Sequence, residues 1–387
     1  MNLLSNFLIY SLFPILTISV VVVIHELGHY WAGRWFGAAA NSFSIGFGST
    51  VLKRTDKRGT IWKLNWLPLG GYVSFVDENE PVAKDDNKVR PIGKSFMELS
   101  VLQRSIIAIA GPAANFVLAI AIFAGFSMTL GDPKYEVQVE QVEAGSPAEQ
   151  AGVLPGDVFL KVNGQDAQRY SRFLNEIRLS AGNEIHLLIN RGGREVSLTA
   201  TPQKAVLDNG VGIKQKMGKL GVRLKRPVLL DQNLLNPVEA VAFGVDKSYY
   251  MISSSLRMLG KIVTGKEDLQ TLSGPVGIAN AVGTTARVTL EQKVDIGLRL
   301  RVLVLSLLEM CAMISVAVGF FNLLPLPVLD GGRLVFNAYE AVTGRLPSDR
   351  IQAVSMTLTL AFLILMALFI TIGDFQETGL IEVFRGL

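Results

Sequence analysis

Three residues near the N-terminus have the types and spacing to do chemistry: His25, Glu26 and His29, in the order H-E-x-x-H. On a helix, positions four apart share a face, so the two imidazoles can bind one metal ion together. Glu26 sits one position on from His25. It is placed to take a proton from a water that the metal activates rather than to ligate the metal. The chain has three histidines; the third, His186, falls in a stretch that reads as a soluble strand. A bare H-E-x-x-H turns up by chance in many chains. This one closes a long apolar run, and two imidazoles with a carboxylate are costly to keep at or inside a bilayer. Asp330 supplies a third candidate ligand, in Asn322-Leu-Leu-Pro-Leu-Pro-Val-Leu-Asp-Gly-Gly332. Pro325 and Pro327 stop a helix there, and the unwound segment they leave can pair with an extended peptide backbone. Two histidines, one carboxylate and an open fourth position suit a catalytic zinc site. The same donors also suit non-haem iron.

Bringing these groups together requires membrane spans. Of 387 residues, 49% are hydrophobic, too many for an ordinary soluble protein. Four apolar stretches are long enough to cross, at about 4–24, 105–131, 302–324 and 353–373. The first helix is expected to continue through the metal motif to near Phe36, with Pro14 as a point of kinking. Its N-terminus has neither the basic segment nor the small-residue cleavage site of a signal peptide, so it reads as a retained span. No Lys or Arg precedes it, and eleven lie from Arg34 to Arg104. That asymmetry places the N-terminus outside and the following loop in the cytoplasm. Spans one and three then carry His25, His29 and Asp330 to the same, cytoplasmic side. Glu309, within span three, is expected near the outer interface, away from the site.

Between spans one and two, Ser44-Ile-Gly-Phe-Gly48 and Leu67-Pro-Leu-Gly-Gly-Tyr-Val73 flank runs of β-formers. They read as a small sheet or hairpin that dips into the membrane beside the site. The charged stretch from Glu78 to Arg90 reads as a solvated loop. Span two contains Gly111-Pro-Ala-Ala-Asn-Phe116, whose small residues allow close helix packing. Asn115 needs a partner there, either a neighbouring helix or the reacting site.

From Lys134 to about Arg226 the composition turns soluble, beginning with the alternating stretch Val137–Val142. The run from Gly145-Ser-Pro-Ala to Val162-Asn-Gly164 resembles the central signature of a bacterial PDZ domain. Further strands fit Glu184–Asn190 and Glu195–Thr201, joined by a turn at Arg191-Gly-Gly-Arg194. Leu220–Leu224 is the candidate groove strand, since PDZ domains bind peptides by adding a strand to a sheet edge. Beyond it, Val238–Lys261 reads as an amphipathic helix on the membrane surface. A single cysteine, Cys311, excludes an intrachain disulfide and a thiolate zinc cluster. The net charge of +4, with no basic stripe, argues against nucleic acid as a partner.

Taken together, H-E-L-G-H, G-P-A-A-N-F, the PDZ signature and N-L-L-P-L-P-V-L-D-G-G resemble the site-2 protease family of intramembrane zinc metalloproteases. The likeness is to the bacterial regulator of sigma-E protease type. It implies one Zn2+ held by His25, His29 and Asp330, with Glu26 as the base. It also implies substrate handling by Asn115, Asn322, Pro325 and Pro327, and matches Gly46, Phe47 and Gly48 to a membrane-associated β element. The expected fold is a polytopic α-helical membrane protein with about four transmembrane helices, that β element, and an inserted extracytoplasmic PDZ (α+β) domain. The expected division is a membrane core over 1–132, the PDZ domain over 133–228, a linker with a surface helix over 229–300 and a second membrane core over 301–387.

The implied reaction is hydrolysis of a peptide bond within the transmembrane segment of single-span proteins after a first extracytoplasmic cut. Anti-sigma factors and remnant signal peptides are the expected substrates. Other expected partners are a peptide or substrate segment at the PDZ domain and membrane lipids. The implied location is the bacterial inner membrane, with the PDZ domain in the periplasm. Two departures stand out: one PDZ signature where the enterobacterial type has two, and Glu309 where an apolar or aromatic residue is expected. A PDZ-bearing scaffold with a vestigial metal site is the rival reading, and the intact H-E-x-x-H with Asp330 argues against it. A metal transporter would place alternating ligands across several spans, and these are absent.

Overall fold

The computed structural model describes residues 3–76, 91–208, 214–272 and 274–377, so the stretch from Glu78 to Arg90 lies outside it. The chain opens with α1 (Leu3–Trp35), the long bent strands β1 (Ala40–Thr55) and β2 (Ile61–Phe75), and α2 (Val101–Thr129). Next come β3 (Lys134–Glu136), β4 (Val139–Val142), α3 (Pro147–Gln150), β5 (Val158–Val162), β6 (Gln165–Asp166) and α4 (Tyr170–Leu179). They are followed by β7 (Ile185–Arg191), β8 (Arg194–Ala200), β9 (Gln203–Asp208), β10 (Lys214–Lys219), β11 (Val222–Leu224) and β12 (Val228–Asp231). The rest is helical: α5 (Pro237–Val263), α6 (Pro275–Glu291), α7 (Ile296–Asn322), α8 (Asp330–Thr343) and α9 (Asp349–Glu377). Two compact units result. One comprises Met1–Phe123, Gly244–Ile252 and Ser273–Ile372; the other comprises Ala124–Phe243, Ser253–Leu272 and Gly373–Leu387.

Among the described residues, four helices are long and apolar enough to cross a membrane: Phe7–Trp35, Val101–Thr129, Ile296–Asn322 and Asp349–Asp374. They coincide with the four expected spans, and the chain is a multi-pass membrane protein. The first helix runs on through Pro14 and the metal motif to Trp35. Glu309 is the middle residue of α7. Its carboxylate accepts from Lys247 Nζ at 3.2 Å. That ammonium also lies 4.3 Å from the Phe123 ring centroid, so the charge in the helix is paired.

The two glycine-rich stretches are the bends of a sheet. Gly46, Gly48 and Gly70 have φ of 81°, 89° and 89°, the left-handed region that glycine enters without a Cβ clash. Each strand is thereby split. The 40–45 half of β1 pairs antiparallel with 71–75 and also lies alongside 61–64, while 50–55 pairs with 61–65. Segment 71–75 has no second strand partner among the described residues. Asn65 locks the bend from inside. Its Nδ2 donates to Ser44 Oγ at 2.8 Å and to the Gly46 carbonyl at 2.9 Å, and its Oδ1 accepts from Thr50 at 3.0 Å.

In the second unit, the antiparallel sheet β6-β5-β7-β8 is joined by the pairs β11-β4, β12-β3 and β9-β10. Alternation builds its core. Ile185, Leu187 and Ile189 of β7 are buried against Phe159 and Phe173, while His186 between them is exposed. The third histidine is therefore on the solvent face of a strand, as its sequence context indicates. Gly192 and Gly193, at φ of 59° and 87°, close the β7–β8 hairpin where the sequence places it. Helix α4 and strands β9, β10 and β12 are not anticipated by the sequence reading. In α4 only the buried Phe173, Glu176 and Ile177 mark an inner face, and Glu176 is a charge. It is fully buried because Arg257 of α5 meets it with two bonds, of 2.9 and 2.6 Å.

Asp157 is a second buried carboxylate of this unit. Burial alone pushes its carboxyl up, but the bonds from the Arg191 guanidinium (2.8 and 2.7 Å) and the Leu154 N–H (2.8 Å) hold it below the ordinary carboxylate range. A depressed folded-state pKa gives stability that is complete above the unfolded value of about 3.9 and is lost as pH falls through the folded value. Protection of the Val158–Val162 amides from hydrogen exchange, taken relative to the intrinsic rate at each pH, is accordingly expected to fall below about pH 4. The Asp157→Asn variant should lose most of that pH dependence. Equal acid sensitivity in both proteins would sink the assignment.

Candidate active site

The site is built on α1. One helical turn separates His25 from His29, and both are buried, 6% and 7% exposed. Their Nε2 atoms lie 3.1 Å apart. Asp330, the first residue of α8, brings Oδ2 to 3.1 Å from His25 Nε2 and 3.3 Å from His29 Nε2. Three donor atoms from two distant parts of the chain thus converge on one point, the cluster able to hold a metal ion.

The surroundings set the state of these donors. His29 Nδ1 lies 2.7 Å from the Ile107 carbonyl, which accepts only if that nitrogen carries the proton. The lone pair is then on Nε2, facing His25 and Asp330. The Asn115 carboxamide, fully buried, puts Nδ2 3.2 Å from His25 Nδ1 and leaves its Oδ1 without a partner. When Nε2 of His25 serves as a metal ligand, Nδ1 holds the proton, and the carboxamide turned over by 180° accepts it through that oxygen. The Asp330 Oδ2 atom is itself buried without a hydrogen-bond partner. Two lone pairs and an orphaned carboxylate oxygen repel one another at these distances unless a cation lies among them. The residues therefore fit a metal.

Glu26, one residue along from His25, is outside the donor cluster, and its Oε2 accepts from the Val73 N–H at 3.0 Å. Val73 belongs to the 71–75 segment, so this edge of the sheet lies against α1 beside the ligands. Glycines set the spacing. A Cβ on Gly111 would stand 2.3 Å from His29 Nε2, so the G-P-A-A-N motif makes room for the imidazole. A Cβ on Gly331 would stand 2.2 Å from the Leu324 carbonyl, so the turn carrying Pro325 and Pro327 folds back over the start of α8.

Asn322 ends α7, and its amide donates to Val318 within its own helix at 3.0 Å. Pro325 and Pro327 lie in the non-helical stretch between α7 and α8, as expected from their ring chemistry. Gly46 is buried at the bend of β1, and Phe47 is 49% exposed, with its ring stacked on Tyr72 at 6.4 Å. Gly48 is exposed at the same bend. Sequence reasoning missed Val73, Ile107 and Asn65. The first two act through backbone atoms and leave no signal in residue type. Asn65 was legible only as a polar residue within a β-forming run.

Two imidazoles and a carboxylate converging beside a glutamate outside the ligand set, on helices able to cross a membrane, define a membrane metallohydrolase. The profile of peptidase family M50 matches residues 13–366, and the chain belongs to that family. Among its relatives is Metalloprotease MmpA of Caulobacter vibrioides, 36% identical, with 99% of each chain covered. Two further relatives carry provisional names as zinc metalloproteases. That of Agrobacterium fabrum is 34% identical, with 94% of each chain covered. That of Mesorhizobium japonicum is 36% identical over 88% of this chain and 92% of its own. The two-imidazole, one-carboxylate donor set suits zinc. Donor set and family together make this chain a zinc metalloprotease.

Proposed function

We propose that this enzyme hydrolyses a peptide bond inside the transmembrane segment of single-span membrane proteins, after a first extracytoplasmic cut. The observation that carries this reading is the convergence of His25, His29 and Asp330 among helices long enough to cross a membrane. Zinc held by these three residues supplies a Lewis acid for the scissile carbonyl and lowers the pKa of water toward neutrality. Glu26 takes the proton from the attacking water and returns it to the leaving amine. His29 and His25 are kept in the ligating tautomer by Ile107 and Asn115. A substrate helix hides its carbonyls and must unwind. The 71–75 sheet edge, with the bend at Gly46–Gly48 and the Pro325–Pro327 segment, is positioned to receive the extended backbone that results.

Anti-sigma factors and remnant signal peptides are the substrate classes this reading favours, and the bacterial inner membrane is its location. The β-rich unit is read as one PDZ domain in the periplasm, with β11 and the adjoining Leu220 as the strand that receives a peptide. Its support is the Ser146-capped α3, followed by strand β5 and the turn at Asn163 and Gly164. Exposed Val228, Leu229, Leu230, Leu234, Val238, Val241 and Val245 form an apolar run that suits a lipid surface. The domain division given by the sequence stands as part of this proposal.

The test is elemental analysis of the purified full-length protein together with cleavage of a synthetic single-span peptide in liposomes. The expected result is stoichiometric zinc and a cut within the membrane-embedded residues, faster when a helix-breaking residue is placed near the cut. Cleavage confined to soluble, unfolded proteins, with the membrane peptide untouched, would overturn the reading.

A further inference from the structure

Helix α2 supports both histidines, through Ile107 and Asn115. The same helix also holds the element that carries the third ligand. Arg104, 6% exposed, donates from Nη2 to Glu340 Oε1 of α8 at 2.7 Å, and from Nε to the Leu99 carbonyl at 3.2 Å. One residue on, Ser105 Oγ accepts from Asn337 Nδ2 at 3.0 Å, and Asn337 is 7% exposed. Asn337 lies two helical turns from Asp330, on the same face of α8. No side-chain cap bonds its first turn, and it hangs from α7 by a non-helical, proline-bearing segment. A buried Arg–Glu pair contributes little net stability, because desolvation offsets much of the attraction. What it does enforce is geometry, since neither charge tolerates losing the other.

We propose that the Arg104–Glu340 and Ser105–Asn337 contacts form a strut that sets where Asp330 stands relative to His25 and His29. These four are positioning residues for zinc binding, and the strut rests on the metal-ligand reading given above. A functional group has to be held within about 0.5 Å of its productive position. An α8 released from α2 keeps its fold but carries Asp330 out of that range.

The test measures zinc affinity of the full-length, detergent-solubilised protein by competition with a chromophoric chelator, with cleavage followed as zinc is added back. Glu340→Ala and Arg104→Ala are expected to weaken zinc binding by about 10–100-fold, the range for residues that orient metal ligands. Excess zinc should restore much of their cleavage. Arg104→Lys and Glu340→Gln keep size and carry the same test if the truncations do not fold. Arg257→Ala, which breaks the buried pair in the other unit, controls for general destabilisation and should leave zinc affinity at its original value. Folded strut variants that bind zinc as tightly as the parent, while Asp330→Ala does not, would overturn the strut alone. Undiminished zinc affinity in Asp330→Ala itself would instead overturn the ligand assignment beneath it.

Discussion

Replacing Glu26 by glutamine is expected to slow peptide-bond cleavage by about 10²–10⁴-fold while leaving zinc content unchanged, the range associated with losing a general base. The substitution is nearly isosteric. Glutamine keeps an oxygen to accept the Val73 N–H, now made by Glu26 Oε2 at 3.0 Å, so the sheet edge should stay against α1. Glu26 is outside the group of donor atoms formed by His25, His29 and Asp330, so the metal site should survive. What disappears is the ability to hold a proton in transit from water to the leaving amine. Single-turnover cleavage of a membrane-embedded peptide, paired with elemental analysis, separates these effects. A Glu26→Gln protein that cleaves at the original rate would show that another group is the base. One that has lost its zinc would show that Glu26 is a ligand.

Gly111→Ala should be nearly as damaging, for a steric reason. The added methyl would lie 2.3 Å from His29 Nε2, 2.5 Å from Cε1 and 2.8 Å from Cδ2, far inside contact distance. The imidazole has little freedom to retreat, because its other nitrogen is bonded to Ile107 at 2.7 Å and the ring is buried. Either the ring leaves the ligand position or α2 moves away from α1. Both outcomes dismantle the site, and zinc affinity should fall by on the order of 100-fold, beyond most outer-sphere substitutions. Gly125→Ala on the same helix is the matched control. Nothing lies within 4 Å of its added methyl. Alanine is also favoured over glycine in a helix by about 1 kcal/mol, so this variant should fold at least as well and keep its zinc. Equal zinc affinity in the two variants would mean that Gly111 is not what makes room for His29.

Much of this protein is written in local patterns. The H-E-x-x-H spacing places two imidazoles on one helical face wherever that helix goes. Unbroken apolar runs specify the four long helices, because a bilayer-length helix satisfies its own backbone bonds. Glycine clusters at 44–48 and 67–73 mark the bends of a sheet, and the two prolines before Asp330 mark where the third long helix must stop. Each of these signals depends on a few neighbouring residues, which is why they survive without coordinates. Helix ends show the limit: the third span reads as about 302–324, while α7 runs Ile296–Asn322, because helix ends are weakly encoded.

Tertiary structure decided everything that turns on which helix face meets which neighbour. Periodicity says that residues share a face but not how far the helix is rotated against the next one. Only the packed molecule turns the Ile107 carbonyl toward His29 and brings Val73 to Glu26. It also converts Gly111 from a generic small residue into the space that a ligand occupies. The Arg104–Glu340 pair joins residues 236 apart in the chain, a separation at which no local pattern operates.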